Sequence, residues 1–168
     1  MVFILWALCI IFVTILFIGG YVFVKACVRR KELAWMVEEE IKKTSYGRYC
    51  GCIQASAEWL KEHHAQDVYM RSHDGLKLHA FWIPAENPRG TILLAHGYRS
   101  TFLVDFGLAF AFYHTLGMNI LVPNQRSHWE SEGRFITFGV KESEDMKNWI
   151  AYHNERFGCH QMILSGMS

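Results

Sequence analysis

The chain has no excess of either charge, with 17 basic and 16 acidic residues and a formal net charge of +1. It contains no basic stripe with interleaved aromatic residues, so nucleic acid is not predicted as a partner. Internal repeats and low-complexity tracts are also missing. Hydrophobic residues make up 51% of the 168 residues and charged residues 20%. This balance excludes a disordered chain and predicts about one packed domain.

The five cysteines lack the patterns of a metal site or a disulfide framework. Cys50 and Cys52 form a single C-x-C that is followed by two histidines. A zinc site usually needs two ligand pairs at a known spacing, and that spacing does not occur here. An odd number of cysteines on a chain predicted to face the cytoplasm argues against disulfides. The sequence therefore predicts neither a metal nor a cofactor.

Charge is absent from the whole stretch between Val2 and Val24. A helix of this length spans about 34 Å, which covers the roughly 30 Å of bilayer hydrocarbon. The main alternative is a secretory signal peptide, which has a charged n-region and a shorter apolar stretch. Because no basic side chain precedes this long run, residues 1–25 are predicted to form an uncleaved transmembrane anchor.

Basic residues follow this run directly, at Lys25, Arg29, Arg30 and Lys31. The positive-inside rule then predicts a single-pass protein of the cell membrane whose remaining chain lies in the cytoplasm. Residues 26–66 form a juxtamembrane segment with predicted helices over 30–43 and 54–64 and a loop over 46–52. These helices link the membrane to the next domain, pack on its edge or rest on the bilayer surface, and the pattern leaves these alternatives open.

Strand patterns begin near residue 67 and define the last predicted segment, 67–168. A short strand, a turn at His73-Asp74-Gly75 and an alternating strand over 76–83 predict a hairpin. Apolar runs typical of strands buried on both faces then alternate with helical patterns. These strands are predicted over 92–95, 118–122 and 162–164, and the helices over 105–116 and 140–157. A hairpin followed by this alternation predicts an α/β sheet that becomes parallel.

Each of the last three predicted strands ends in a polar, turn-forming segment. These segments are His96-Gly97-Tyr98, Pro123-Asn124-Gln125-Arg126 and Ser165-Gly166-Met167-Ser168. Because reacting groups gather at the carboxyl ends of parallel strands, the three segments are predicted to share one site.

In the first segment, Gly97 has no Cβ, so the backbone can swing sharply after the strand. The amide of Tyr98 can then point into the site, where an acyl-transfer enzyme needs an N–H aimed at the oxyanion. An ordinary strand-to-loop turn is the alternative. His96 is interpreted as a brace for the loop rather than as a catalytic base.

In the last segment, Gly166-Met167-Ser168 matches the first half of a G-x-S-x-G nucleophile elbow. Gly-x-Ser alone is a weak signal, and its position after the fifth strand makes Ser168 the candidate nucleophile. In the loop after the fourth strand, Arg126 and His128 are predicted to tie the backbone down, because the loop does not supply a catalytic triad.

Together these segments resemble the α/β-hydrolase superfamily, in the branch of membrane-anchored bacterial hydrolases related to prolyl-oligopeptidase-like peptidases and esterases. The resemblance runs from about Val68 to Ser168. Its marks are Asp74-Gly75-Leu76-Lys77-Leu78, Leu94-Ala95-His96-Gly97-Tyr98-Arg99-Ser100, Gln125-Arg126-Ser127-His128, Ser131-Glu132-Gly133, Phe138-Gly139 and Leu164-Ser165-Gly166-Met167-Ser168. It implies an α/β-hydrolase fold, Ser168 as nucleophile, and the Tyr98 amide and the residue after Ser168 as oxyanion donors.

Two positions depart from the family pattern. Asn124 stands where the family usually has Asp, and Trp129 stands where it usually has Gly. Asn124 removes a charge but keeps hydrogen-bonding capacity. Trp129 cannot adopt backbone angles that only glycine allows, and it is expected to narrow or cap the pocket.

In this fold the triad acid and histidine follow the serine, and no residue follows Ser168 here. The chain is therefore interpreted as an N-terminal fragment of a serine hydrolase that cleaves an ester, thioester or peptide bond of a small-molecule or peptide substrate. A serine without a base is a weak nucleophile, so the fragment is expected to be inactive. The alternative is a non-catalytic membrane-anchored protein that uses the same scaffold for binding or regulation.

Overall fold

The computed structural model describes residues 2–29, 38–158 and 161–167. The helices are α1 (Val2–Cys27), α2 (Glu38–Lys42), a 3-10 helix (Gly47–Tyr49), α3 (Cys50–Glu62), α4 (Phe102–Thr115) and α5 (Glu142–Phe157). The strands are β1 (Gln66–Arg71), β2 (Lys77–Ile83), β3 (Gly90–Ala95), β4 (Met118–Pro123) and β5 (Met162–Gly166).

The first helix, α1, is long and apolar enough to cross a membrane, and none of its residues is buried against the rest of the protein. It extends two residues beyond the predicted anchor, and the basic Lys25 lies in its last turn. Most of the helix predicted over 30–43 lies outside the described residues, and α2 is the part that the structure describes.

The five strands form one mixed sheet in the order β1-β2-β4-β3-β5. β2 is antiparallel to both β1 and β4, whereas β3 is parallel to β4 and to β5. The predicted hairpin forms at Gly75, whose φ of +86° is a conformation that glycine adopts without strain. The predicted class, an α/β sheet that becomes parallel, is confirmed.

Helices cover both faces of the sheet because the buried strands alternate their side chains. Ile92 and Leu94 of β3 face a core built with α3 and α4, and Leu93 faces the core around Trp149 of α5. α4 begins three residues before its predicted start, because the Thr101 side chain caps it by accepting a hydrogen bond from the Val104 N–H at 3.3 Å.

The predicted loop over 46–52 is wrong for most of its length, because a 3-10 helix covers Gly47–Tyr49 and α3 begins at Cys50. Gly51 lies in the first turn of α3 with open space around it, so it does not interrupt the helix. α3 buries Ile53, Ala57 and Leu60 in the same core as Phe106 of α4. The sequence left several positions open for this helix, and the structure shows that α3 packs against the domain.

The two predicted juxtamembrane helices, for which the bilayer surface was one open alternative, carry Trp35 and Trp59. Trp59 is partly buried and stacks on Phe110 of α4, with ring centroids 6.0 Å apart. Trp59 therefore packs on the core of the domain rather than lying free on a membrane. Trp35 lies outside the described residues.

Candidate active site

The three polar segments predicted from the sequence meet at one edge of the sheet. Ala95 at the end of β3 pairs with Gly166 at the end of β5, and the Met167 N–H donates to the Ala95 carbonyl at 3.0 Å. β4 lies on the other side of β3. A cavity of about 320 Å³ opens at this edge. It is lined by His96, Tyr98, Gln125, Ile136, Phe138, Gly139, Glu142 and Met167.

His96 joins the ends of β3 and β4 through its Nε2 nitrogen, while its Nδ1 nitrogen contacts the loop that follows β3. Its Nε2 accepts the Gln125 N–H at 3.1 Å, so the proton is carried by Nδ1, which lies 3.0 Å from the Gly97 carbonyl. The Gln125 side-chain amide donates in turn to the His96 carbonyl. Burial, with a contribution from His128, lowers the pKa of His96 to about 4. His96 is therefore neutral at pH 7, and its acceptor nitrogen is already occupied.

The loop after His96 is held in place by Asp105, which lies in the first turn of α4. The Gly97 N–H donates to Asp105 Oδ2 at 2.7 Å, and the Ser100 hydroxyl donates to Oδ1 at 2.6 Å. A Cβ at Gly97 would lie 3.4 Å from the Met167 carbonyl oxygen, so this loop runs directly beside the end of β5.

The Tyr98 amide lies next in this loop and makes no hydrogen bond to any residue that the structure describes. Gly166 ends β5, and Met167 follows it in the cavity wall. Ser168 lies outside the described residues. The geometry therefore brings the segment that leads to Ser168 alongside the Tyr98 loop, while the roles of Ser168 and Tyr98 stay predictions.

Arg126 is a buried cation that does not line the cavity, with 3% of its side chain exposed. It binds Asp145 of α5 through two hydrogen bonds of 2.7 and 2.8 Å, and it donates to Asp74 of the hairpin turn at 3.0 and 3.2 Å. The hydrogen bonds from Arg126, Ser72 and Lys141 hold the pKa of Asp74 well below its ordinary range. Arg126 thus ties the β4 loop to the hairpin and to α5.

The two carboxylate partners of Arg126 were not identified from the sequence. Asp74 appeared there only in a turn and among the marks of the family resemblance, and Asp145 was not singled out. No local sequence signal marks them, because both partners are distant from Arg126 in the chain whereas Glu130 and Glu132 lie closer.

His128 is buried beside His96, with ring centroids 4.8 Å apart. Its Nδ1 lies 3.0 Å from the Arg126 carbonyl, and burial lowers the pKa of His128. Both features are those of a structural histidine that supports the loop.

The expectation that Trp129 narrows or caps the pocket is wrong. Trp129 adopts a φ of +48°, within the left-handed region that non-glycine residues enter at a modest cost. Its ring packs edge-on against Phe102 at 5.6 Å and joins the core, and Trp129 is not among the residues that line the cavity. Apolar packing of the large side chain offsets the backbone strain.

Asn124, the other departure from the family pattern, also points away from the cavity. Its side-chain amide donates to His79 Nδ1 at 2.7 Å, and His79 Nε2 donates to Asp67 Oδ1 at 2.9 Å. The Asn124 side chain therefore links β4 to β2 and β1.

Besides Gln125, the later part of the loop between β4 and α5 and the start of α5 contribute half of the residues that line the cavity, and the sequence had marked only Phe138-Gly139 there, as part of the family resemblance. Ile136, Phe138, Gly139 and Glu142 come from this loop and from the start of α5. Burial opposes ionisation of Glu142, but hydrogen bonds from Thr137 and Gly139 outweigh it and lower the pKa of Glu142. Glu142 is therefore a loop-capping carboxylate. Across residues 2–29, 38–158 and 161–167, no three His, Cys, Asp or Glu side chains are grouped to hold a metal ion.

No protein-family model and no curated protein matches the chain. Among solved structures it is similar to an esterase of Pyrococcus furiosus, with 25% identity and a TM-score of 0.58 over 64% of this chain and 44% of that one. It is also similar to an α/β-hydrolase of a Penicillium species, with 18% identity and a TM-score of 0.52 over 61% of this chain and 37% of that one. An α/β serine hydrolase homologue of Coxiella burnetii gives 19% identity and a TM-score of 0.53 over 61% of this chain and 51% of that one.

These similarities, together with the mixed five-stranded sheet, define an α/β-hydrolase fold. The structures that share it include esterases and serine hydrolase homologues. The chain spans less than half of the length of the esterase that it matches. The narrower resemblance to prolyl-oligopeptidase-like peptidases stays a prediction.

Proposed function

We propose that the protein is a membrane-anchored serine hydrolase that cleaves an ester, thioester or peptide bond through an acyl-enzyme on Ser168. The observation that supports this proposal most directly is the contact between the Gly97 loop and Met167. It brings the residue before Ser168 beside a backbone amide, that of Tyr98, which has no acceptor among the described residues.

In the proposed reaction, the Ser168 hydroxyl attacks the carbonyl carbon of the substrate, and the Tyr98 N–H donates to the oxygen that becomes negative. A donor of this kind is effective when its position is fixed before the reaction. Asp105 supplies that rigidity, because it binds the Gly97 N–H and the Ser100 hydroxyl on either side of Tyr98.

The proposed nucleophile needs a base, and the described histidines near the cavity are poorly suited to that role. His96 uses its acceptor nitrogen to bind the Gln125 N–H, and His128 is buried against the Arg126 carbonyl. In this fold the triad acid and histidine come after the serine in chain order. We therefore expect efficient turnover only in a polypeptide that carries those two residues beyond position 168.

The membrane attachment in this proposal is made by α1. Its length and composition support a span, and the basic residues at Lys25 and Arg29 favour a domain on the cytoplasmic side. The bilayer and a small-molecule or peptide substrate are the proposed partners.

The test is covalent labelling of the native protein, expressed from its complete reading frame, with a fluorophosphonate. Wild type is expected to carry the label on Ser168, and Ser168→Ala is expected to lose it. Ser165→Ala is the matched control, because it removes a hydroxyl from β5 three residues earlier. Equal labelling of Ser168→Ala would refute the nucleophile assignment. Wild type that resists labelling would favour the alternative of a non-catalytic binding or regulatory protein.

A further inference from the structure

The end of the apolar helix α1 is built directly onto the wall of the candidate site. Val28 forms an antiparallel bridge with Phe135, and the Ile136 N–H donates to the Cys27 carbonyl at 2.7 Å. The Arg29 N–H donates to the Arg134 carbonyl at 2.8 Å on the other side of this bridge. Ile136 also lines the cavity, so a residue of the cavity wall is itself hydrogen-bonded to the end of α1.

The loop that carries the proposed oxyanion donor is attached to the same helix end. The Tyr98 hydroxyl donates to the Ala26 carbonyl at 2.8 Å. The Arg99 guanidinium donates to the carbonyls of Lys25, Ala26 and Val28 at 2.7, 3.1 and 3.1 Å. A cation at this position satisfies carbonyls that the helix leaves unpaired and interacts favourably with the helix dipole. The Tyr98 loop is therefore fixed to the last turn of α1.

These contacts set the depth of the site relative to a bilayer that α1 crosses. The Phe135 ring lies 5.5 Å from the ring of Phe23, which belongs to the uncharged run and precedes Lys25 by about 3 Å along the helix. Phe135 therefore lies at the boundary between hydrocarbon and headgroups. The ring of Phe138 stacks on Tyr98 at 5.1 Å, and 61% of Phe138 is exposed. Exposed Phe side chains are among the apolar groups that insert at the boundary between headgroups and acyl chains.

Four basic residues lie at or next to the same helix end, namely Lys25, Arg29, Arg99 and Arg134. The Arg99 guanidinium is bound to carbonyls of α1, and the Arg29 guanidinium is bound to the carbonyls of Trp129 and Ser131. Cations at the headgroup level are attracted to anionic lipids. The exposed Phe138 ring, together with basic residues at the helix end, fits a bilayer surface better than it fits water.

We infer that the cavity opens onto the bilayer surface and that the substrate is a lipid whose acyl chain enters between Ile136, Phe138 and Met167. This inference rests on the proposed hydrolase function and names its substrate class, an acyl ester or thioester held in the membrane. The Ser168 oxygen forms a bond to the acyl carbon as the bond to the alcohol or thiol breaks, and the leaving group takes up the serine proton through the proposed base. Water then adds to the acyl-enzyme and releases a free carboxylic acid and the serine.

The test uses the full-length protein in vesicles of phosphatidylcholine and phosphatidylglycerol. It compares the labelling by two fluorophosphonates that share the same reactive group. One carries a short water-soluble chain, and the other carries a hexadecyl chain and is delivered within the vesicles. Phe138→Asn removes the exposed aromatic ring from the cavity wall, and asparagine tolerates the φ of +50° found at this position. Phe112→Asn is the control, because Phe112 is 59% exposed and lies in the last turns of α4, at the opposite edge of the sheet.

The readout is the ratio of the labelling rates for the long and the short probe within each variant. The ratio is expected to fall about ten-fold in Phe138→Asn, because one large apolar contact with the acyl chain is lost. It is expected to stay at the wild-type value in Phe112→Asn. An unchanged ratio in Phe138→Asn would overturn the inference.

A second measurement separates this inference from the proposed catalytic function. A photoreactive benzoylphenylalanine at position 138 is expected to crosslink to phospholipid in the vesicles, and the same residue at position 112 is not. If the short probe leaves wild type unlabelled while position 138 still crosslinks to lipid, the hydrolase proposal fails and the membrane placement stands. A position 138 that forms no lipid adduct contradicts the membrane placement, whether or not Ser168 is labelled.

Discussion

Replacing Gly107 with alanine is expected to destabilise the protein, although alanine is ordinarily the better helix former. Gly107 lies in α4 where this helix crosses α3 most closely. A Cβ at this position would lie 2.6 Å from Ser56 Oγ and 2.8 Å from Ser56 Cβ. Rotation of the serine hydroxyl cannot relieve the second contact, because the position of Cβ is set by the backbone.

The magnitude follows from two opposing effects. Alanine in place of glycine inside a helix contributes up to about 1 kcal/mol of stability. Non-bonded carbon atoms prefer a separation of about 3.5 Å or more, so α3 and α4 must move apart by roughly 0.7 Å, and overpacking of this kind costs about 1–3 kcal/mol. We expect a net loss of about 1–2 kcal/mol, which lowers the Tm by roughly 3–8 °C.

The assay is thermal unfolding of the full-length protein in lipid nanodiscs, followed by tryptophan fluorescence. Gly51→Ala is the matched control, because no atom lies within 4 Å of the added Cβ on α3, and it is expected to leave the Tm unchanged or raise it. Adding Ser56→Gly to Gly107→Ala removes the clashing Cβ and is expected to restore part of the lost stability. If Gly107→Ala proved as stable as Gly51→Ala, the close packing of the juxtamembrane helix on the hydrolase core would be refuted.

Two further predictions concern the groups that support the site. Arg126→Met is expected to cost about 3–5 kcal/mol of unfolding free energy, because it leaves the carboxylate of Asp145 buried without a counter-charge. Lys141→Met, which removes a partly exposed cation from Asp74, is expected to cost under about 1 kcal/mol, and equal losses in a denaturant titration would contradict this account. Stability is also expected to fall as the pH drops from about 6.5 towards 4, because the unfolded chain binds a proton at His96 that the folded protein, with a pKa of about 4, does not. The Tm of His96→Gln should depend less steeply on pH over this range, and an identical slope would show that His96 is not responsible.

Local patterns were sufficient to predict most of the helices and strands. The uncharged run predicted α1, the apolar runs predicted β3 and β4, and the alternation after Gly75 predicted β2. Chain order also predicted that polar segments follow β3, β4 and β5. These features depend on residues close together in sequence, where the period of the apolar side chains matches the geometry of one helix or strand.

The contacts between segments distant in sequence could not be predicted and are seen only in the folded structure. The pairing of Ala95 with Gly166, the ion pairs of Arg126 with Asp74 and Asp145, and the left-handed backbone of Trp129 each depend on what packs against the residue. The attachment of α1 to Tyr98 and Phe135 joins residues 72 and 107 positions apart, and no period in the sequence encodes it. Such contacts depend on the shape and charge of surfaces that exist only once the sheet has formed. The local sequence pattern therefore determines which helices and strands carry the site, and the tertiary contacts determine where the cavity opens.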